Sequence, residues 1–348
     1  MLPYDMRSLD NASVGSFCCV VVPTTSDVPA SRTAPYRLRI LYQGAPHSMS
    51  WSSNESESYF DSLRERLRLE VQQGRFEDAI QLCDEALVWA GERDDTVGAD
   101  LARCNRCGVL IALGRGEEEA PAMRRILLGS AHSVNCFLAA YNLSRIHEAK
   151  RETDRGLFYA RLALGHAERA ERRDLVGTVY NQLGSLQTID CRFDDACQSY
   201  ASALELSPAE PDRSIMESNM GFCRVMLGEH RQGFEALFRS LRSMRRHGLE
   251  AWETLPRLGL AYAYLDLGKV AAAHRHAARG LDCAEQAEFP EQILNALYIL
   301  GEAEKQLGNE LAAYECFQRL QRDYYPDEPF ISEFLMTADV RRLVNLMA

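Results

Sequence analysis

From about Ser58 onward the sequence predicts an all-α fold, an α-solenoid of stacked helix–turn–helix units. Three observations carry that prediction. Ala, Leu, Glu, Gln and Arg, all good helix formers, dominate the chain from there on. No segment keeps the period-two alternation that marks a strand. A five-residue pattern, followed each time by a turn and a second helix, recurs along the chain.

The first 57 residues are of another kind. They hold Pro3, Pro23, Pro29, Pro35 and Pro46, many Ser and Thr, and no helical periodicity. Such a composition buries too little apolar surface to offset the entropy of ordering it. Two readings stand open for it: a flexible arm, or an over-extended reading frame with translation starting at Met49.

Residues 58–325 form the repeating region. The motifs are CNRCG (104–108), AYNLS (140–144), YNQLG (180–184), ESNMG (217–221), LPRLG (255–259) and LYILG (297–301). Each ends on Gly or Ser, which lets two helices approach closely. Each runs on for about another turn of helix and reaches a short Gly-containing or polar link, among them LGRG, CRFD, LGEH, LGKV and LGNE. A second helix follows, such as EEEAPAMRRIL, FDDACQSYASAL or LAAYECFQRLQ. An additional pair at the start closes with GRFEDAIQLCDEAL after a weaker first helix. Residues 326–348 supply an amphipathic capping segment, needed because a stack leaves an apolar face at its last repeat.

This arrangement resembles the tetratricopeptide repeat family. Residues 177–208 carry the closest likeness: Tyr180, Leu183 and Gly184 in the first helix, Ala196, Tyr200 and Ala203 in the second, and Pro208 at the close. The resemblance implies a right-handed superhelix of about six to seven repeats with a C-terminal capping helix. The spacing of the small residue, 36 to 42 residues between positions 108, 144, 184, 221, 259 and 301, exceeds the roughly 34 of the family. Longer second helices or links are expected.

The chemistry-bearing motifs are few. Cys104 and Cys107 form a Cys-x-x-Cys pair, but in register they take the positions of Tyr180 and Leu183, so they are read as core filler. A structural zinc would need two further ligands at suitable spacing, and a redox pair would need a βαβ setting. His274 and His276, two residues apart, cannot share a helix face as a metal pair and are read as solvated or edge residues. Asp194 and Asp195 fall at a second-helix start, where they favour the helix dipole. No nucleophile elbow, zinc-protease helix, phosphate loop or dinucleotide fingerprint is present, so no enzyme activity and no cofactor or metal is expected.

A net charge of −11 argues against bulk attraction to nucleic acid or anionic lipid. No apolar run is long enough for a membrane span. Eleven scattered cysteines do not resemble a secreted disulfide framework, and a cytoplasmic protein with reduced thiols is expected. The oligomeric state stays open.

In the family the first helices line a concave groove that takes peptides or protein segments. The resemblance places there Asn105, Tyr141, Arg145, Asn181, Ser185, Phe222, Leu260, Tyr264, Asn295, Tyr298 and Lys305. Amides suit a peptide backbone and aromatics supply anchors. The family's clamp for chaperone C-termini does not carry over. Around a central Asn142, Asn105 and Val109 stand where Lys and Asn are needed. Separately, Arg239, Arg242, Arg245 and Arg246, with Arg275 and Arg279 of the next second helix, form a candidate basic strip, read either as an ordinary solvated face or as a dock for an acidic segment. The expected function is a non-catalytic protein- or peptide-binding adaptor or scaffold. The alternative is a peptide-sensing regulatory receptor whose superhelix changes pitch. Repeats filling nearly the whole chain, with no effector domain, favour the adaptor.

Overall fold

The computed structural model describes residues 54–72, 75–206, 212–287 and 289–338, and within them every regular element is helical. The expectations for residues 1–53 and for the last ten residues of the capping segment lie outside the described part. Fifteen α-helices follow one another: α1 (Asn54–Gln72), α2 (Phe76–Gly91), α3 (Thr96–Ala112), α4 (Ala120–Gly129), α5 (Ser133–Ala149), α6 (Thr153–Arg169), α7 (Arg173–Ile189) and α8 (Phe193–Leu206). Then come α9 (Asp212–Met226), α10 (His230–Arg246), α11 (Thr254–Asp266), α12 (Val270–Gln286), α13 (Pro290–Gln306), α14 (Glu310–Tyr324) and α15 (Ile331–Thr337).

Each helix packs on its neighbours in sequence, and each odd-numbered helix up to α11 also touches the next odd-numbered one. Even-numbered helices meet more sparsely, through side chains such as Arg319 of α14 with Glu285 of α12. Seven hairpins therefore stack in one direction, with the odd-numbered helices as one layer, termed the inner, and the even-numbered helices as the other, termed the outer. Contacts stay local, which makes the stability that of a one-dimensional array.

The turn inside the hairpins explains why the repeat survives divergent sequence. At Gly114, Arg151, Cys191, Gly228, Gly268 and Gly308 the backbone takes a positive φ, between 56° and 83°. At each, the residue's N–H bonds the carbonyl three back and the next N–H bonds the one five further back, as with Gly228 to Val225 (2.9 Å) and Glu229 to Arg224 (2.8 Å). This is the left-handed helix stop that glycine favours. Arg151 and Cys191 adopt it without being glycine, and each accepts the steric cost of a Cβ there.

One element departs from its sequence reading. EEEAPAMRRIL was expected as a second helix, but Gly116–Glu119 forms a 3-10 turn and α4 begins only at Ala120. Pro121, in the first turn of α4, has no N–H and clashes with a preceding helical turn. At the other end, α15 covers the last hairpin as a cap, with Ile331 and Leu335 buried in the core formed by α11 to α14. Gln321 Oε1 accepts from both the N–H (3.0 Å) and the hydroxyl (2.8 Å) of Ser332.

The Cys-x-x-Cys pair lies in the interior. Cys104 and Cys107 are 1% and 0% exposed and pack with Met123, Phe137 and Leu143. Burial pushes both thiols well above their ordinary range.

Candidate binding surfaces

The inner layer is joined by polar contacts from one odd helix to the next. Asn135 Nδ2 donates to Val97 O (2.9 Å), and Asn142 Nδ2 donates to Cys104 O (2.8 Å). Both link α5 to α3. Glu148 of α5, buried at 3% exposure, accepts from Ser185 Oγ of α7 (2.7 Å) and from Gln182 Nε2. A buried carboxylate must be compensated by such donors. These side chains therefore hold the register between repeats, and the carboxylate is already engaged.

That packing decides where the expected groove residues stand. Tyr141, Arg145, Phe222, Leu260, Asn295 and Tyr298 are all buried, with Leu260 at 0% exposure. Burial sets them in the interior rather than on an open groove: Phe222 joins Phe193 and Tyr200 of α8, and Leu260 joins Leu237 and Leu241 of α10. Tyr141 stacks on Phe137 at 5.8 Å and lies 5.8 Å from the Arg145 guanidinium. Asn142, the residue tried as a clamp, is buried on the backbone of α3. Asn105, Asn181, Ser185, Tyr264 and Lys305 remain half-buried. Lys305 is occupied: its Nζ donates to Leu335 O and Ala338 O, both at 2.8 Å, and pairs with Glu302. It ties the cap down. Tyr264 turns its ring to the outer layer, against Phe234 of α10 and His276 of α12. Asn181 Oδ1 has no hydrogen-bond partner among the described residues.

The arginines of the outer layer are all exposed, at 239, 242, 245 and 246 on α10 and at 275 and 279 on α12. Arg239 pairs with Glu217 (3.4 Å), Arg245 with Glu253 (3.2 Å) and Arg279 with Asp282 (3.5 Å). His276 is not a solvated side chain. Its ring is half-buried between α10 and α11, and burial together with Arg257, Arg275 and Arg245 pushes its pKa down to about 4. His274 bonds Glu304 Oε1 through Nε2 (2.8 Å). The aromatic company of His276 escaped the sequence reading, although Phe234 and Phe238, one turn apart and just ahead of the arginines, were its signal.

Among the described residues no three His, Cys, Asp or Glu side chains gather as a metal site would require. None of their helices is long and apolar enough to cross a membrane.

Fold and surfaces together define a helical-repeat solenoid. Neither a protein-family model nor a curated protein matches the chain. Among solved structures, the apo form of RapI aligns with a TM-score of 0.54 at 13% identity, covering 82% of this chain and 84% of RapI. A Rap protein complexed with competence and sporulation factor gives 0.46 at 14% identity, covering 85% and 98%. BtubC (BKLC) from P. vanneervenii gives 0.49 at 18%, covering 61% and 92%. At such identities the likeness is one of fold, and of these three the RapI alignment carries it.

Proposed function

We propose that the chain is a non-catalytic scaffold that binds a peptide or protein segment along its odd-numbered helices. The observation that carries this reading is Asn181. It stands half-buried near the middle of the inner layer, and its side-chain carbonyl has no partner among the described residues. The carbonyl oxygen itself is covered, so it is the side-chain NH2 that can donate to a peptide carbonyl. Asn105 of α3 is a second half-buried amide on the odd-numbered helices. The solenoid fold supports the reading because a stack of hairpins presents one continuous inner surface.

The test is affinity capture from a native lysate with the full chain and with Asn105→Ala and Asn181→Ala combined. Tyr141 and Phe222 are unsuited, since removing buried rings would damage the core, and Ser185 is unsuited because its hydroxyl compensates buried Glu148. A partner held by the parent should be lost or weakened by about tenfold, worth roughly 1.4 kcal/mol, in the double variant. Undiminished capture by a variant of unchanged helicity would place the partner elsewhere and refute the inner-layer site.

A further inference from the structure

A seam lies between α10 and α12, which both pack on α11 and meet each other at Phe238 and His276. Its floor is aromatic. Phe234 and Phe238 of α10 stand 6.2 Å apart, centroid to centroid. Tyr264 of α11 lies 4.8 Å from Phe234. His276 of α12 lies 5.5 Å from Tyr264 and 6.2 Å from Phe238. All four rings are half-buried, so each retains some exposure to solvent.

The two helices that carry Phe234, Phe238 and His276 also carry exposed cations. Arg242 and Arg246 of α10 and Arg275 of α12 are exposed, and among the described residues no carboxylate pairs with them. The buried carboxylate nearby, Glu253, is already shared between Arg245 and Arg257. His276 Nδ1 is buried without a hydrogen-bond partner among the described residues. Burial, and then the field of Arg257, Arg275 and Arg245, disfavours protonation of that ring. On a chain of net charge −11, this is a local reversal of sign laid over an apolar floor.

We infer that this seam docks an acidic peptide segment of a partner protein. Carboxylates meet Arg242, Arg246 and Arg275, and an apolar side chain rests against Phe234, Phe238 and Tyr264. Guanidinium groups match carboxylates in planar, two-pronged pairs, and arginine and aromatic residues dominate binding energy at interfaces. Charge complementarity favours a short segment over nucleic acid. A peptide feels the local arginines within a Debye length of about 8 Å at physiological salt, whereas a long polyanion also meets the negative remainder of the protein. The seam belongs to the outer layer and does not depend on the inner-layer site.

The experiment is fluorescence anisotropy on the full chain. The probe is a fluorescein-labelled peptide with one tryptophan between two runs of glutamate. Saturable binding that weakens with added salt is expected. Arg242→Glu, Arg246→Glu and Arg275→Glu together should weaken it about tenfold or more. The same three changed to Gln should weaken it in the same direction, and circular dichroism should match the parent because all three side chains are exposed. Phe238→Leu, which keeps an apolar side chain of similar size, should also weaken it, while the Asn105 and Asn181 double variant binds as the parent does. The inference is overturned by absence of saturable binding to the parent, or by binding indifferent to the arginine changes. It is equally overturned by binding indifferent to Phe238→Leu, or by a single-stranded oligonucleotide of equal charge that binds more tightly than the peptide.

Discussion

Gly184 lies against the ring of Tyr200: a Cβ at Gly184 would stand 2.7 Å from Tyr200 Cε1, closer than two carbons pack. The same relation recurs three repeats on, where a Cβ at Gly301 would stand 2.5 Å from Phe317 Cε1. Where Ser144 takes the glycine's place, its hydroxyl donates to Gly156 O of the partner helix (2.9 Å). The small residue closing each motif is thus what allows the hairpin to close.

Gly184→Ala tests this. In a helix interior the change normally stabilises by about 1 kcal/mol. Here overpacking against Tyr200 should reverse the sign, for a net loss of about 1–3 kcal/mol. Gly165→Ala in α6 is the control. Its added Cβ would meet only the Arg169 guanidinium at 3.5 Å, so a small gain in urea midpoint is expected. Equal gains for both variants would contradict the close approach at Gly184.

Cys104→Ala with Cys107→Ala should lower stability by a few kcal/mol, on the order of 2–3, through lost packing. Burial holds both thiols protonated, so peptide mapping after alkylation of the folded protein at pH 8 should find them unmodified. Among the cysteines of the described residues Cys197 should label first: it is half-buried, and a hydrogen bond from Cys223 lowers its pKa. Stoichiometric zinc in the parent, lost from the double variant, would overturn the packing role.

Deleting residues 326–348 removes α15 and with it the two carbonyl acceptors of Lys305. The apolar face of α13 and α14 is then uncovered, and aggregation with a lower melting temperature is expected. Lys305→Met keeps the cap but removes its charge-assisted bonds, and should cost about 1–3 kcal/mol. A truncated chain as soluble, monomeric and stable as the parent would show that α15 is dispensable.

His276 makes stability depend on pH. Its folded pKa of about 4 lies below the ordinary 6.5, because of burial and then Arg257, Arg275 and Arg245. Between those values the unfolded chain binds a proton that the folded chain refuses, so stability falls as pH drops from 6.5 towards 4. Above 6.5 the contribution is fully present. His132 and His166 are shifted in the same direction, so the measure is a difference. His276→Gln should lose less stability than the parent between pH 7 and pH 5 in urea denaturation. An identical loss would mean the ring is not shielded from solvent and the arginines.

The sequence by itself determined the class of fold. Helix-forming composition, glycine-bearing links and the recurrence of one small residue required stacked hairpins, since a lone hairpin cannot cover its own apolar face. It also determined that Cys104 and Cys107 are core, because register alone aligned them with Tyr180 and Leu183. Tertiary structure decided which first-helix side chains remain within reach of a partner. Tyr141, Asn181 and Phe222 look alike as expected groove positions, yet Tyr141 and Phe222 are buried and Asn181 is not. Periodicity gives the direction in which a side chain leaves its own helix, but the distance to the next helix depends on residues a whole repeat away. For the same reason Tyr264 turned to the outer layer: Phe234 and His276, 30 residues before it and 12 after it, supply the surface it packs on.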